Sequence, residues 1–494
     1  MSLLYTLAKP TSFGTVNPSV AGPEPAGMPA ACDDINRCRT IPNILWNCFS
    51  LVFICTWVAI HPNVPKVGKH IVEVIRDYVF IMVVALIAPE LIILWAMRQW
   101  YAAHEIANKY KDYDWGLCNA YLVIMGGFAL YDGEKFVRYI WDREGFDDDE
   151  IMIAMDLLRE TVSHDERKEV EQTANRIRRE YQCLLRFLLA KGFITTTEDE
   201  VRCNLNHGDA LSKLIAVLQT AWFITQCIAR ATEGVAITQI EIITLALAVL
   251  NFVTYYMWWH KPLRVRFPVR VIWKRRDRPE NISLEHFWVA TRRALFNWHN
   301  DEWYHWIFAP LLPLLVPVIY LFKNLYNIVA GEHVDTTPKL FASSLTKDPP
   351  QVYATVYLVA FVFGGMHCIP WFFTFPTHAE KIAWRICALV VTLIPFGSAF
   401  FHFLHGKDFK IPDNYQVPST CPLMLKPFLE GLIKMAGKIL DHSWIFLYTL
   451  FAILHTSYVV ARFTMLVLAL LEFRNLPPSA YQAVQWSVYI PHIG

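Results

Sequence analysis

The sequence predicts an all-α protein, a polytopic bundle of about eight transmembrane helices with a small helical insertion. Composition is the first observation: the 494 residues are 54% hydrophobic and only 18% charged, with a mean hydropathy of +0.29. Soluble globular chains carry roughly 25% charged residues. Charge-free runs of spanning length alternate with charged loops, and many of the 18 Trp residues stand at the ends of those runs. Trp in that position is typical of the aromatic belt at a membrane surface.

The chain begins with residues 1–42, which are rich in Pro, Gly, Ala and Ser and show no periodicity, so we expect a disordered tail. No basic region followed by an apolar core is present there, and the sequence therefore predicts no cleaved signal peptide. Residues 43–65 contain no Asp, Glu, Lys or Arg and form the first expected span. Residues 78–100 form the second, and together they make a first membrane segment over residues 43–100.

A long polar region, residues 101–211, follows the second span. It starts with an amphipathic stretch expected at the membrane surface and continues with an apolar run, residues 118–130, that is too short to cross a bilayer. Residues 147–190 combine helical spacing with dense mixed charge, which predicts a soluble helical insertion ending before Gly192. We expect this region in the cytoplasm.

The second membrane segment, residues 212–472, is expected to hold the remaining spans. Hydropathy places them at residues 213–230, 237–259, 306–322, 352–373, 383–402 and 444–471. A tight turn at Glu233 and Gly234 joins the first two of these. Residues 423–440 are expected to form an amphipathic surface helix, and residues 473–494 a C-terminal tail.

A basic loop sets the expected orientation. Residues 260–278 contain eight Lys or Arg and one acidic residue. The positive-inside rule places this loop in the cytoplasm, for topology alone or also for contact with anionic lipid headgroups. With an even number of spans, we expect both termini and residues 101–211 on that same side. A reducing cytosol then argues against a disulfide between Cys32 and Cys38.

Several long segments carry a resemblance. They are LIAPELIILWAMRQW, NHGDALSK, LNFVTYYMWWHKPLRV, FGGMHCIPWFFTFPTHAEKIAWRICAL and the C-terminal LPPSAYQAVQWSVYIPHI. From about Trp46 to the C-terminus the chain resembles a large, functionally unassigned family of multi-pass membrane proteins from filamentous fungi and mushrooms. The resemblance implies a fungal source and a shared polytopic fold, and it implies little about chemistry.

Four polar side chains at expected membrane depth form the candidate catalytic set: Glu90, His367, Arg462 and His455. A carboxylate inside a spanning helix costs ~2.5–3.5 kcal/mol on insertion scales, so Glu90 is expected to face protein or water. Two explanations remain open. One is a structural ion pair of Glu90 with Arg462 or Arg385, and the other is a cavity for a proton or an amphiphilic ligand. His455 precedes Arg462 by seven residues, which places both on one helical face.

Metal and cofactor motifs are weak in this sequence. The pairs His402 with His405 and His299 with His305 are too few for a di-metal oxygenase. The acidic run 147–150 resembles a cluster that holds Mg²⁺ on a diphosphate, but it lacks a second motif and also suits a helix N-terminus. No phosphate loop, nucleophile elbow or dinucleotide fingerprint is present. We therefore expect no cofactor and no metal.

Two classes of function follow from these observations. The first is a membrane-embedded enzyme of secondary or terpenoid metabolism, acting on a lipid- or isoprenoid-like molecule by cyclisation or isomerisation, with Glu90 as general acid. The second is a transporter, channel or scaffold, indicated by Pro-interrupted spans and intramembrane charges, although the chain shows no internal repeat.

The expected partners are membrane lipid and a hydrophobic small molecule. The net charge of +1 gives no reason to expect nucleic acid. We expect the protein in the endoplasmic reticulum, another endomembrane or the plasma membrane.

Overall fold

The computed structural model shows a helical membrane bundle with a small mixed layer at one end. It describes residues 38–158, 167–263, 265–273, 340–343, 348–405 and 453–484. Within these ranges, six helices are long and apolar enough to cross a membrane, and one bent helix pair passes the same test. The expected span at 306–322, the expected surface helix at 423–440 and most of the tail 1–42 lie outside the described residues.

The elements are numbered here in chain order. The helices are α1 (Ile41–Phe53, continued by the π-turn Ile54–Val58), α2 (Ile71–Ile87), α3 (Pro89–Lys109), α4 (Leu117–Ile124), α5 (Asp148–Leu158), α6 (Arg167–Tyr181), α7 (Leu184–Ala190), α8 (Glu198–Thr232), α9 (Gln239–Met257), α10 (Pro350–Met366), α11 (His378–His405) and α12 (453–471). The strands are β1 (Phe128–Asp132), β2 (Lys135–Tyr139) and β3 (Val269–Trp273).

Six expected spans correspond to α1, the second part of α8, α9, α10, α11 and α12. Their outward faces are apolar, as a lipid-facing surface requires: Leu218, Trp222, Leu358 and Phe396 are all at least half exposed. α1 stops at Val58, earlier than expected, because the prolines in the following segment cannot continue a helix. The chain is therefore a multi-pass membrane protein.

The expected second span, residues 78–100, is wrong as a single helix. Pro89 has no N–H to offer to the carbonyl of Ala85, and it disfavours helical backbone at the residue before it. α2 accordingly ends at Ile87, and α3 starts at Pro89. The axes of the two helices differ by 112°. The apolar run is thus long enough to span but turns back within the bundle.

Both outer ends of this helix pair meet the same part of the protein. Before α2, the Val67 N–H donates to Tyr139 Oη at 2.7 Å. At the end of α3, Lys109 Nζ lies 2.7 Å from Asp142 Oδ1. Tyr139 and Asp142 belong to the end of β2 and the loop after it. We therefore interpret α2 and α3 as a re-entrant hairpin that enters and leaves on one side, with its apex at Ala88.

The mixed layer at this side, here called the sheet-side layer, comprises residues 110–158, 167–197, 258–263 and 265–273. In it β1 pairs antiparallel with β2 and parallel with β3, in the order β2-β1-β3. The sheet corrects the all-α expectation, and the short apolar run 118–130 turns out to be α4 followed by β1. Helices α5, α6 and α7 lie in the region of the expected insertion, and α7 ends at Ala190, before Gly192.

The two chain ends meet on the opposite side of the bundle. The Arg39 N–H donates to Tyr481 O at 2.7 Å, and Cys38 forms a bridge with Gln482. Arg39 also holds Glu241, in the first turn of α9, through both guanidinium nitrogens. We call this group of contacts the terminal clasp. The 19 residues of α9 extend ~28 Å from the clasp to Met257, whose carbonyl accepts from Tyr121 Oη in the sheet-side layer.

In this arrangement the terminal clasp and the sheet-side layer lie at opposite ends of the bundle, which differs from the expectation that the termini and residues 101–211 share one side. With α2 and α3 interpreted as a re-entrant hairpin, α1 is the one described span between Cys38 and the sheet-side layer. Cys38 is disulfide-bonded, whereas the sequence argued against a disulfide between Cys32 and Cys38; Cys32 lies outside the described residues.

Candidate functional site

The apex of the hairpin is capped by Arg462, near the middle of α12. This side chain is 1% exposed. Its Nη2 donates to Leu86 O at 3.0 Å, and its Nε donates to Ile87 O at 3.2 Å. Both carbonyls belong to the last turn of α2. Because the helix is interrupted there, they lack the usual helical N–H partners. A cation is also favourable at a helix C-terminus, so Arg462 stabilises the break in two ways.

A histidine completes the surroundings of Arg462. The distance from Arg462 Nη1 to His367 Nε2 is 2.7 Å, and His367 Nδ1 lies 2.8 Å from Phe363 O. A guanidinium only donates hydrogen bonds, so Nε2 must accept and the proton must reside on Nδ1. His367 is therefore a neutral imidazole that is fully buried, and its role is to hold Arg462. The Phe363 ring covers the guanidinium at 4.6 Å.

Glu90 stands in the first turn of α3, where free N–H groups and the helix dipole favour a carboxylate. Its Oε2 is buried and has no hydrogen-bond partner in the described part of the chain. Tyr458, one turn before Arg462 on α12, lies within hydrogen-bonding reach of the carboxyl group. Arg462 acts on Glu90 electrostatically, but its three hydrogen bonds within the described residues go to Ile87 O, His367 Nε2 and Leu86 O.

The structural ion pair considered for Glu90 is therefore not formed between the described residues. Arg462 is engaged by the backbone and His367. Arg385 lies elsewhere, where its Nη2 donates to Trp371 O at 2.8 Å and its guanidinium stacks on the Trp371 ring. The carboxylate thus sits among polar groups that do not neutralise it by direct contact.

The fourth expected residue, His455, is not part of this cluster. It shares a face of α12 with Arg462, but its Nε2 lies 3.2 Å from Ser398 Oγ on α11. The structure therefore brings Glu90, His367 and Arg462 together and leaves His455 apart. Sequence reasoning missed Tyr458. Its position four residues before Arg462 is a usable signal, because such neighbours lie on one helical face.

A second buried polar centre surrounds Lys261, which has no exposed surface. Its Nζ donates to His61 O, to Asn63 Oδ1 at 3.3 Å and to Gln99 Oε1 at 2.7 Å. Two indole rings, of Trp95 and Trp258, lie 4.6 and 4.5 Å from the same atom. Three oxygens and two aromatic faces form a site that suits an ammonium group.

The same centre fixes the direction of α3. Gln99, Trp95 and Asn63 all donate to Ala342 O, at 2.8, 3.3 and 3.3 Å. Burial and the positive charge of Lys213 lower the pKa of Lys261 well below its ordinary value. Sequence analysis counted Lys261 only as part of a basic loop. The signal it passed over is a lysine that directly precedes Pro262 and is separated by one residue from a span that ends in two Trp residues.

Arg98 ties α3 to the start of α10. Near the end of the second expected span, this side chain is 3% exposed. Its Nε lies 2.9 Å from both carboxylate oxygens of Asp348, and Tyr353 Oη donates to Asp348 Oδ2 at 2.6 Å. This pair and the Lys261 centre hold the outer half of the hairpin, as Arg462 holds its apex.

A small cavity lies between α1, the hairpin and α9. It has room for about two water molecules. Its walls include Pro89, next to Glu90, and three polar side chains, Thr56, Asn251 and Thr254. Thr56 belongs to the π-turn of α1, and such turns are frequent at functional sites.

The acidic run 147–150 forms a helix cap. The Glu150 N–H donates to Asp147 Oδ1 at 2.8 Å, and the Asp147 N–H donates to Glu150 Oε2 at 3.2 Å. Arg138 Nη2 lies 2.8 Å from Asp147 Oδ2 and 3.0 Å from Glu150 Oε1. Hydrogen bonding to this guanidinium lowers the pKa of Asp147. These carboxylates are therefore engaged in closing the N-terminus of α5.

Among the described residues, no group of three or more His, Cys, Asp or Glu side chains has a metal-binding arrangement. His299 and His305 lie outside the described residues. His402 and His405 are in the last turn of α11, where side chains are not described.

Comparison with known proteins gives one match. The model of a family of unknown function (DUF8562) matches residues 31–287 and 344–493, which is most of the chain. No curated protein and no solved structure matches.

Proposed function

The chain belongs to this family of unknown function, and we propose that it is a membrane-embedded enzyme that acts on a lipid- or isoprenoid-like molecule. Glu90 is the residue that transfers the proton. The supporting observation is the buried Oε2 of Glu90, which lacks a hydrogen-bond partner in the described part of the bundle. Leaving a buried carboxyl oxygen without a partner is costly, and ionisable groups kept at membrane depth are commonly functional.

The proposed chemistry starts from the acid form of Glu90. The carboxyl proton adds to a carbon–carbon double bond or an epoxide oxygen of the substrate, which leaves a carbocation on carbon. The cation closes a ring or shifts, and loss of a proton to the Glu90 carboxylate restores the acid. Substrate and product are isomers, so no oxidant or reductant is consumed.

The neighbours of Glu90 have distinct parts in this proposal. Tyr458 positions the carboxyl group through its hydroxyl. Arg462 and His367 are positioning residues, because their contacts hold the hairpin apex from which Glu90 projects. The positive charge of Arg462 favours the carboxylate formed after proton transfer. His455 is omitted, because it contacts Ser398 instead.

We place this activity in fungal secondary metabolism, with terpenoids as one substrate class, on the strength of the resemblance described above. The endoplasmic reticulum, another endomembrane or the plasma membrane would supply the lipid phase in which such a substrate dissolves. The hydrophobic substrate and the membrane lipid are the expected partners.

The test compares the lipid-soluble metabolites of cells that express the wild-type chain with those of cells that express Glu90→Gln. The amide keeps the size of the side chain but cannot deliver a proton, so we expect the product to disappear while membrane abundance stays unchanged. Glu241→Gln is the matched control: it weakens a carboxylate of the terminal clasp, so it lowers abundance and product together. An unchanged product level in Glu90→Gln would refute the proposal.

A transporter is the second candidate, because one observation favours it. α2 and α3 form a discontinuous helix at membrane depth, with a carboxylate and a guanidinium at the break, an arrangement that carriers use to bind substrates and protons. For a transporter, Glu90→Gln abolishes proton-coupled uptake by proteoliposomes and leaves the set of cellular compounds unaltered, with changes only in their distribution across the membrane.

A further inference from the structure

We infer that the sheet-side layer faces the cytosol and the terminal clasp faces the exoplasmic side, so that the Glu90 hairpin enters from the cytosolic leaflet. This orientation does not depend on the proposed chemistry. It reverses the location expected for both chain ends from the sequence. The path of the spans divides the connections between two sides, and two observations then orient these sides: the distribution of basic residues and the state of the cysteines.

The path of the spans separates two sets of connections. The α8–α9 turn, residues 233–238, lies at the clasp, where Arg230 Nη1 donates to Gln482 O at 2.7 Å. The α10–α11 connection, residues 367–377, lies on the same side, since Ile369 packs with Ile237 and Ile242. Residues 59–70 and 258–273 lie on the sheet side, as the bonds from Lys261 to His61 and Asn63 show.

The connections on the two sides differ in their number of basic residues. The sheet-side connection 59–70 contains two Lys, and the sheet-side connection 258–273 contains four Lys or Arg. The clasp-side connections 233–238 and 367–377 contain none. All four are short, so they fall in the range in which Lys and Arg set orientation. The positive-inside rule therefore assigns the sheet side to the cytosol.

The cysteines agree with this assignment. Cys38, at the clasp, is disulfide-bonded. Cys118 and Cys183 in the sheet-side layer are free thiols, as is Cys368 in the clasp-side connection, so the disulfide is the informative observation. Disulfides persist in the lumen and outside the cell, and thiols persist in the cytosol. The expected cytoplasmic location of the N-terminus followed from counting the hairpin as a crossing span.

The orientation also specifies how Glu90 is reached. Both outer ends of the hairpin meet the sheet-side layer, so polar access to the apex along the hairpin starts from the cytosol. A proton exchanged by Glu90 along that route therefore equilibrates with cytosolic pH and not with the lumen.

The test uses single cysteines and a membrane-impermeant maleimide on sealed microsomes, whose outer surface is cytosolic. Glu134→Cys lies in the exposed β1–β2 turn, and Asn475→Cys lies in an exposed position beside the clasp. We expect label on Glu134→Cys in sealed vesicles, and label on Asn475→Cys only after detergent. Labelling of both, or of neither, in sealed vesicles means that the two positions share a side and overturns the inference, as does the reverse pattern.

A second measurement does not depend on folding of a cysteine variant. The sequon at Asn281 follows β3 by a few residues in the sequence, so the inference predicts that it carries no glycan, whereas a sequon appended after Gly494 does. A glycan at Asn281, or an appended sequon that stays unmodified in chains that reach the membrane, overturns the inference. Neither readout depends on the product formed, so a failed topology and a failed enzyme proposal remain distinguishable.

Discussion

The buried cations of this bundle are held mainly by uncharged oxygens and an imidazole. Arg462 donates to two carbonyls and to His367, and Lys261 donates to a carbonyl and two side-chain amides. Each donor that leaves water thus regains a partner, which limits the penalty of burying the charge. As a consequence, the carboxylate of Glu90 receives no direct contact from a cation within the described residues.

Replacing Arg462 tests the apex cap. Arg462→Lys keeps the charge but lacks the planar guanidinium group, whose Nε and Nη2 donate to Ile87 O and Leu86 O at the same time. At least one carbonyl loses its partner, so we expect the free energy of unfolding to fall by about 1–3 kcal/mol. Thermal unfolding in detergent measures this loss. Arg474→Lys, at an exposed ion pair with Glu380, is the control and should unfold like the wild type; an equal loss in both variants would contradict the cap.

The lowered pKa of Lys261 predicts a pH dependence with a definite sign. Between the folded pKa and the ordinary value of 10.5, the unfolded chain binds a proton that the folded chain does not. Stability therefore rises with pH across that window. We expect Lys261→Met to flatten this rise, whereas Lys191→Met, at an exposed position, keeps it. The midpoint of chemical unfolding between pH 7 and 10 is the measurement, and the same slope in all three proteins would disprove the assignment.

The sequence identified charged residues of the site better than neutral ones. Glu90 and Arg462 could be named because an ionisable group in an apolar run must find protein or water. Tyr458, Gln99 and Asn63 carry no such penalty, and nothing in their local sequence separates a site residue from ordinary packing. Their partners also lie far along the chain: 375 residues separate Arg462 from Ile87.

At the scale of whole elements, hydropathy predicted the lengths of the apolar segments correctly, but it predicted the wrong direction for α3. A proline inside a span usually produces a kink that neighbouring groups satisfy, so residues 78–100 read as one crossing helix. The 112° turn depends on Arg462, Lys261 and Arg98, which hold α3 away from the line of α2. The six other spans within the described residues were predictable, because α1 and α8–α12 carry long apolar runs with few charges.

The packing of α10 on α11 gives a prediction at this scale. A Cβ on Gly364 would lie 2.6 Å from Thr392 Cα and 2.7 Å from Val391 O, whereas a Cβ on Gly365 meets nothing within 4 Å. Gly364→Ala must push the helices apart, which typically costs about 1–3 kcal/mol. Gly365→Ala should be neutral or stabilise by up to ~1 kcal/mol through helix propensity. Thermal unfolding of both variants checks this, and equal midpoints would show that the close approach is absent.

At the scale of the whole molecule, composition was enough for a helical membrane protein, but not for the sheet or the sidedness. β1 has five residues and pairs with β3, which comes from the loop after α9. Because the two strands are short and far apart in the sequence, no local pattern predicts the sheet. The side of the membrane on which the preceding residues lie depends on whether the helix pair α2 and α3 crosses the bilayer or returns to the side from which it entered. A single element of this kind reverses the location of everything before it, which is why the expected position of the N-terminus differs from the inferred one.

The terminal clasp predicts coupled order of the two chain ends. Arg39 Nε donates to Ala480 O at 2.6 Å, and its other nitrogens hold Glu241. Arg39→Ala should therefore speed amide hydrogen exchange at residues 476–482 as well as at residues 38–42. Arg474→Ala is the control, because its ion pair with Glu380 lies outside the clasp. Faster exchange at the N-terminal residues alone would show that the C-terminal segment is held independently.

The Arg462 cap has a consequence for how this protein is made. The ribosome completes α2 and α3 several hundred residues before it reaches α12. The carbonyls of Leu86 and Ile87 therefore lack their Arg462 hydrogen-bond donor through most of synthesis. The nascent hairpin must be sheltered by the insertion machinery or by bound water during that interval. Chains that terminate early leave it permanently incomplete, so truncations before α12 should be recognised and degraded even though every earlier crossing is already in place.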